Sequence, residues 1–271
     1  MNRRPLGVCS WIFGGLEPGA IAKAIAPLGY RGIELHPPLL EAEDAASIFS
    51  DHGIDIVSIT PPDADISHPD PAVREPAIVT LYRMIDRAAE LGAPRAGVHG
   101  LVGRIRPVAD QAQEDDLLDE AVARLTDHAA VCGIVLVFEV LNRYESHQIN
   151  TAGQGLAMLD RLGRPNLKLL LDSYHMNIEE ADPASALHAA GDRLGLYHAA
   201  ESNRRAPGLG HIDFSAQRAV LDAISYSGPV IIEITAPGPD PFTPIKSGDF
   251  RTVLLDDLAE AVHTFGTAPA S

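Results

Sequence analysis

The amino-acid sequence predicts a single (β/α)8 barrel, a TIM barrel, that extends over residues 1–271. The chain has 271 residues, and one barrel of this kind uses roughly 250 residues. Eight short apolar runs alternate with eight longer segments of helical character. The runs are almost continuously apolar, which is typical of parallel strands buried on both faces. Length, alternation and strand composition together favour a closed parallel barrel.

The first half of the chain supplies four strand–helix pairs, each marked by a short apolar run before a longer segment. Apolar residues of the third helix recur near the helical period, and the third strand alternates with a period of two. The segment after the first strand lacks the Gly-rich phosphate loop of an open doubly wound sheet, the rival fold. The predicted pairs are Leu6–Trp11 with Pro18–Leu28, Gly32–Leu35 with Leu39–His52, Asp55–Ile59 with Ala72–Leu91, and Ala93–His99 with Glu114–Cys132.

The second half repeats the same alternation, and Gly163 and Pro165 mark the end of its first helix. Glu179 and Glu180 are predicted to begin the helix after the sixth strand, where carboxylates favour the helix dipole. The small residues 266–271 are predicted to form a frayed tail. The predicted pairs are Ile134–Glu139 with Gly153–Leu162, Leu167–Asp172 with Pro183–Ala190, Leu194–His198 with Phe214–Ile224, and Pro229–Glu233 with Asp249–Phe265.

Charge and cysteine content exclude several classes of protein. The formal net charge is −16, so phosphates are repelled and nucleic-acid binding is not expected. Cys9 and Cys132 are too few for a disulfide framework or a thiolate metal site, and they are expected to be small buried residues. The sequence shows neither a signal peptide nor a membrane span, so we expect a soluble cytoplasmic protein.

Four possible metal ligands each end one of the last four predicted strands: Glu139, Asp172, His198 and Glu233. They are separated by 33, 26 and 35 residues, about one βα unit each time. Because consecutive parallel strands end at the same mouth of a barrel, these side chains are expected to meet there. Carboxylate oxygens and an imidazole nitrogen suit a divalent ion such as Mn²⁺, Mg²⁺ or Co²⁺.

The loops after these strands carry further polar residues. His175 follows Asp172 by three residues, and it is predicted either to point back into the site or to cap a helix or support a ligand from behind. Glu145 is predicted to reach a substrate or to pair with Arg143. Arg204 is predicted to donate to substrate hydroxyls or a phosphate, or to pair with Glu201.

Three segments closely resemble motifs of the ketose 3-epimerases, which act on tagatose, psicose and related free sugars. The segments follow the fifth, sixth and seventh strands, and their boundaries are Glu139–Glu145, Leu171–Glu180 and His198–Arg204. The resemblance is most specific between Phe138 and Phe214, and Glu233 supports it. The rest of the chain is compatible with the wider sugar isomerase and epimerase superfamily, whose members are xylose-isomerase-like barrels.

The resemblance implies one divalent ion, with Mn²⁺ as the first choice and Mg²⁺ or Co²⁺ as alternatives, held by Glu139, Asp172, His198 and Glu233. It implies that Glu139 and Glu233 also remove and return a proton beside the carbonyl of the sugar, through a metal-stabilised enediolate. It further implies a homodimer or homotetramer. Substrate contacts are implied for Glu145, His175 and Arg204, and Trp11 is expected to line the pocket.

Other reactions use the same kind of site. An aldose–ketose isomerase would move the proton between adjacent carbons, and a dehydratase or lyase would eliminate water or another group from a keto-sugar or keto-cyclitol. A metal-dependent hydrolase would add His36 and His99 as ligands. A non-catalytic sugar-binding protein is disfavoured because four ligand-type residues are intact. Few cations stand near the predicted mouth, so an unphosphorylated sugar is favoured.

Overall fold

A computed structural model describes residues 4–265 and shows eight parallel strands in one sheet. The sheet order β3-β2-β1-β8-β7-β6-β5-β4 brings the first and last strands together, as a barrel requires. This confirms the predicted TIM barrel, whose β3 and β4 lie side by side at the seam. The strands are β1 Leu6–Cys9, β2 Gly32–Leu35, β3 Asp55–Ile59, β4 Arg95–Val98, β5 Val135–Glu139, β6 Leu167–Asp172, β7 Leu194–Ala199 and β8 Val230–Ile232.

The helices surround the strands and cover them with apolar faces. Among the described residues, no helix combines the length and apolar character needed to cross a bilayer. The tail predicted to fray, residues 266–271, lies outside the described part of the chain. The helices are α1 Pro18–Ile25, α2 Pro37–Leu40, α3 Ala45–Asp51, α4 Pro71–Glu90, α5 Gln111–Val131, α6 Ala152–Leu162, α7 Ser173–Glu179, α8 Pro183–Ala190, α9 Phe214–Ala223 and α10 Phe250–Phe265.

Two helix predictions were wrong. The segment predicted as one helix, Leu39–His52, is divided into α2, which ends at Leu40, and α3, whose N-cap residue is Asp44. Glu179 and Glu180 end the short helix α7 instead of beginning the next one. Asp182, whose side chain accepts two backbone N–H groups, begins α8. The first strand is also shorter than predicted, because residues Ser10–Phe13 form a 3₁₀ turn.

Strand alternation places the polar residues at the mouth of the barrel, directly above a layer of buried apolar side chains inside the barrel. A small buried cluster, separate from the layer under the helices, comprises Cys9, Val57, Val137, Leu170, Leu196 and Ile231. Inward-facing residues of a strand recur every second position, as in the layered interior of such barrels. Glu139, Asp172, His198 and Glu233 stand two positions after four members of this cluster. This apolar layer therefore lies directly beneath the four clustered residues.

The bottom of β7 tolerates no side chain. A Cβ atom at Gly195 would lie 2.7 Å from both Lys168 Cβ and Val137 Cγ1. We expect Gly195→Ala to lower the free energy of unfolding by about 1–3 kcal/mol, because overpacking shifts two strands. The control Gly19→Ala, in α1 with its nearest neighbour 4.0 Å away, should be neutral or gain about 0.4–1 kcal/mol. Denaturant titration of both variants measures the difference, and equal stabilities would contradict it.

Candidate active site

The four predicted ligands, each at or next to the end of one of the last four strands, do meet at the mouth of the barrel. One ligand atom from each of Glu139, Asp172, His198 and Glu233 lies within 4.8 Å of the other three. All four residues are buried. Their strands are neighbours in the sheet, with Asp172 paired to His198 across β6 and β7. The expected convergence is therefore a feature of the structure.

His198 presents one ring nitrogen to the carboxylates and the other to Glu34. Nε2 lies 3.2 Å from a Glu34 carboxylate oxygen, which also accepts a 2.9 Å hydrogen bond from the Thr60 hydroxyl. Nδ1 faces Glu233 at 3.5 Å and Glu139 at 3.9 Å, and it has no hydrogen-bond partner within residues 4–265. This is the arrangement of a metal-ligating histidine held by a carboxylate.

The sequence places Glu34 among several polar residues near the strand ends but assigns it no role in the metal site. In the structure it lies within β2 and is followed by buried Leu35. Its partner His198 is 164 residues away in the chain. One feature of the sequence could have indicated its role. A carboxylate in a short apolar strand of four residues is expected to be buried, and a buried carboxylate needs a partner to remain charged.

Burial and mutual repulsion dominate the electrostatics of the cluster. Burial, and then the nearby Glu233 carboxylate, raise the pKa of Glu139 well above its usual value. Burial also raises the pKa of Asp172. Burial opposes ionisation of Glu233 too, but Arg204 and His198 outweigh it and lower the pKa of this carboxyl. Three carboxylates in one buried group leave negative charge that is not fully compensated.

Arg204 lies against two of these carboxylates. Its guanidinium donates to Asp172 Oδ2 at 2.9 Å, lies 3.3 Å from Glu233, and stacks 4.4 Å above the Tyr174 ring. The pairing with Glu201 that the sequence left open does not occur, because the Glu201 carboxylate instead accepts backbone N–H groups of its own loop. Trp11 donates its indole N–H to Glu233 at 2.7 Å.

His175 and Glu145 form a second polar group beside the first. The His175 Nδ1 atom accepts a 2.8 Å hydrogen bond from Asn142, which leaves Nε2 as the protonated nitrogen facing Glu139 and Asp172, each 3.8 Å away. Asn142 also donates to Glu145 at 2.9 Å. The alternative pairing of Glu145 with Arg143 is wrong, because Arg143 turns outward and pairs with Glu179.

Several of these side chains line one cavity of about 520 Å³. The part of the cavity next to the four-residue cluster is lined by Glu139, Glu145, His175, Arg204 and Glu233. Tyr174 of α7 also lines the cavity. The remaining wall comes from segments after the early strands and from the last loop: Trp11, His36, Pro37, Thr60, Pro61, Pro62, Asp63, His99, Val102, Gly103, Pro241 and Phe242. His36 and His99 line the wall and are not members of the four-residue cluster.

The donor set fits a divalent cation. Three carboxylates and one imidazole provide oxygen and nitrogen ligands, as hard or borderline ions prefer. The unpartnered Nδ1 of His198 points at the same place as the carboxylate oxygens. A cation among them would stabilise the ionised form of Glu139, whose pKa is raised by burial and then by the Glu233 carboxylate.

Comparisons with known proteins show which family this chain resembles. A family model described as xylose isomerase-like TIM barrel matches residues 22–249. The ketose 3-epimerase of Arthrobacter globiformis is 38% identical over 204 residues, which cover 73% of this chain and 70% of that protein. The L-ribulose 3-epimerase of Mesorhizobium japonicum is 34% identical over 273 residues, which cover 97% of this chain and 83% of that protein.

A solved structure supports the same relationship. The crystal structure of D-psicose 3-epimerase with D-tagatose, from Clostridium cellulolyticum H10, matches with a TM-score of 0.85 and 26% identity. The match covers 97% of this chain and 98% of that one. The resemblance read from the sequence is thereby confirmed, and the chain belongs to the xylose isomerase-like TIM barrel family.

Proposed function

We propose that this chain is a metal-dependent epimerase of an unphosphorylated ketose or related keto-sugar, acting at the carbon beside the carbonyl. The convergence of Glu139, Asp172, His198 and Glu233 on one point carries the proposal. The relatives named as ketose and L-ribulose 3-epimerases support the reaction class. The acidic mouth, with Arg204 as the cation held between carboxylates, supports a neutral substrate.

The four clustered residues would hold Mn²⁺, Mg²⁺ or Co²⁺, and the ion would polarise the carbonyl and stabilise the enediolate. Glu139 and Glu233 are the acid and base. They come from β5 and from the residue after β8, so they approach the mouth from strands separated by β6 and β7. One carboxylate removes the proton from one face of the carbon. The other returns a proton to the opposite face, which inverts that carbon.

The neighbouring side chains orient this pair. Trp11 holds one oxygen of Glu233 by its indole hydrogen bond, which leaves the other oxygen toward His198 and Arg204. His175 is fixed by Asn142, so its Nε2–H can donate to a sugar oxygen near Glu139. Glu145 can accept from a sugar hydroxyl. Buried donors and acceptors of this kind cost free energy when a substrate lacks the matching hydroxyl, which gives selectivity.

Deuterium exchange followed by NMR tests the proposal. The protein with Mg²⁺ would be mixed with a panel of ketoses, aldoses and keto-cyclitols in D₂O. Deuterium at C3 of a ketose, together with its epimer, is the expected result and names the substrate. Deuterium at C1 or C2 with an aldose product would establish an isomerase, and loss of water a dehydratase. No exchange with any of these sugars would contradict the proposal.

Glu34 is expected to act as a positioning residue for His198. Glu34→Gln removes the charge that holds Nε2–H, so we expect metal affinity to fall by about 10–100-fold. The rate at saturating metal should stay near that of the parent chain. Metal titration combined with kcat at saturating metal separates these two effects. Thr60→Val, which keeps the Glu34 carboxylate and removes the hydroxyl that donates to it, should have a smaller effect. Unchanged affinity in Glu34→Gln would contradict the assignment.

On the family resemblance we also propose that the chain forms a homodimer or homotetramer. Light scattering coupled to size-exclusion chromatography measures this, and a monomer at micromolar concentration would contradict it.

A further inference from the structure

A second cluster of metal-ligating side chains lies on the outer surface of the barrel, away from the strand ends. Asp86 belongs to α4, His128 belongs to α5, and Cys132 follows directly at the end of α5. His128 and Cys132 are four residues apart, so they lie on the same side of their helix. Asp86 reaches them from the neighbouring helix, and all three possible ligand atoms lie within 4.8 Å of one another.

The three ligand atoms form a triangle of nearly tetrahedral dimensions. Cys132 Sγ lies 3.5 Å from Asp86 Oδ1 and 3.8 Å from His128 Nε2, and Nε2 lies 2.7 Å from Oδ1. With bonds of about 2.3 Å to sulfur and about 2.0–2.1 Å to nitrogen or oxygen, a tetrahedral ion requires edges of about 3.6 Å to sulfur and about 3.3 Å between the other two. Two edges already match, and the third needs Asp86 to move by about 0.6 Å. Asp86 is half exposed and free to do so.

We propose that Asp86, His128 and Cys132 bind one thiophilic divalent ion, with Zn²⁺ as the best fit, and that water completes the coordination. One sulfur, one nitrogen and one oxygen ligand favour Zn²⁺ over the hard ions that suit the barrel mouth. A thiolate and a carboxylate together compensate the two charges of the ion. The ion would join α4 to α5 on the outside of the barrel, where it stabilises the fold without contacting the sugar.

Without the ion, the same atoms form an ordinary hydrogen-bonded group. Burial, and then Asp86, raise the pKa of the Cys132 thiol, so it stays protonated and donates to the carboxylate. The Tyr82 ring packs 4.7 Å from the His128 ring and fixes it. When the ion binds, the sulfur–hydrogen bond breaks, a sulfur–metal bond forms, and the thiol proton leaves to solvent. His128 donates its Nε2 proton to Asp86 in the ion-free group, and on binding this nitrogen gives up that proton to solvent while Nδ1 takes one up, so the neutral ring presents a free Nε2 lone pair to the ion.

Cobalt provides a direct test because a thiolate bound to Co²⁺ gives a sulfur-to-metal charge-transfer absorption. The barrel-mouth cluster has no sulfur among its four ligands. We expect the absorption on adding Co²⁺ to the whole chain in thiol-free buffer, and its loss in Cys132→Ser. Cys9→Ser is the matched control for the other cysteine, which is buried beside Thr60, and it should keep the absorption.

Zinc stoichiometry gives an independent measurement. Cys132→Ser should bind one Zn²⁺ fewer per chain, and His128→Ala should bind the outer Zn²⁺ at least about tenfold more weakly. Both variants should keep the deuterium exchange measured with Mg²⁺. Absence of the absorption in the parent chain, its persistence in Cys132→Ser, or its loss only in Cys9→Ser would overturn the proposal.

Discussion

Glu139→Gln and Glu233→Gln are each expected to reduce epimerisation at least about a thousandfold while leaving the fold intact. A general acid or base alone contributes about 10²–10⁴-fold, and the same change also removes a negative ligand from the metal-type cluster. Turnover should therefore be measured at several metal concentrations, so that loss of the ion is separated from loss of the proton carrier. Glu120→Gln, an exposed change on α5, should leave turnover unchanged.

The two variants should differ in the proton that they still exchange. If each glutamate serves one face of the sugar, removing one leaves the other able to exchange the proton on its own face. In D₂O, each variant is then expected to incorporate deuterium into one epimer without forming the second, and the two variants should label opposite epimers. Labelling of the same epimer by both, or near-normal turnover in either, would contradict the two-glutamate mechanism.

The four clustered residues were predictable because their position depends on local sequence. An apolar run that ends in a carboxylate or imidazole identifies a strand end, and the parallel barrel brings consecutive strand ends together. One of the four also begins the next element of the chain. Asp172 accepts the Tyr174 N–H as the N-cap of α7, a helix that was not predicted because residues 173–179 lack an apolar period.

Partner choice among the polar residues was not predictable. Arg204 has acidic candidates within its own loop, yet it pairs with Asp172 and Glu233 from two other strands. The backbone of Arg204 is in the left-handed conformation, with φ of 61°. Residue spacing does not predict this conformation, which sets the path of the loop. Glu34 and His198 are likewise far apart in the sequence, and it is the closure of the barrel that brings them together.

Removal of the metal is expected to lower the thermal stability of the chain as well as to abolish activity. An ion present at about 100 times its Kd stabilises the folded state by about 2.7 kcal/mol. For a chain of this size that corresponds to roughly 5–10 °C in Tm. The effect should be visible by differential scanning calorimetry after treatment with a chelator, and it should return when Mn²⁺ or Mg²⁺ is added back.

In the metal-free state, Glu139→Gln is not expected to lower the thermal stability of the chain. Burial, and then the neighbouring Glu233 carboxylate, raise the pKa of Glu139, so folding disfavours the carboxylate form that the unfolded chain holds at neutral pH. An uncharged amide avoids this cost. The metal-free variant is therefore expected to be at least as stable as the metal-free parent, yet to gain little from added metal. Glu145 is also buried enough to have a raised pKa, but it stands outside the four-residue cluster, so Glu145→Gln should keep the full metal-induced increase in Tm. An undiminished increase in Glu139→Gln would show that Glu139 is not a ligand, whereas its loss in that variant alone would locate the ion at the convergence of the four strand ends.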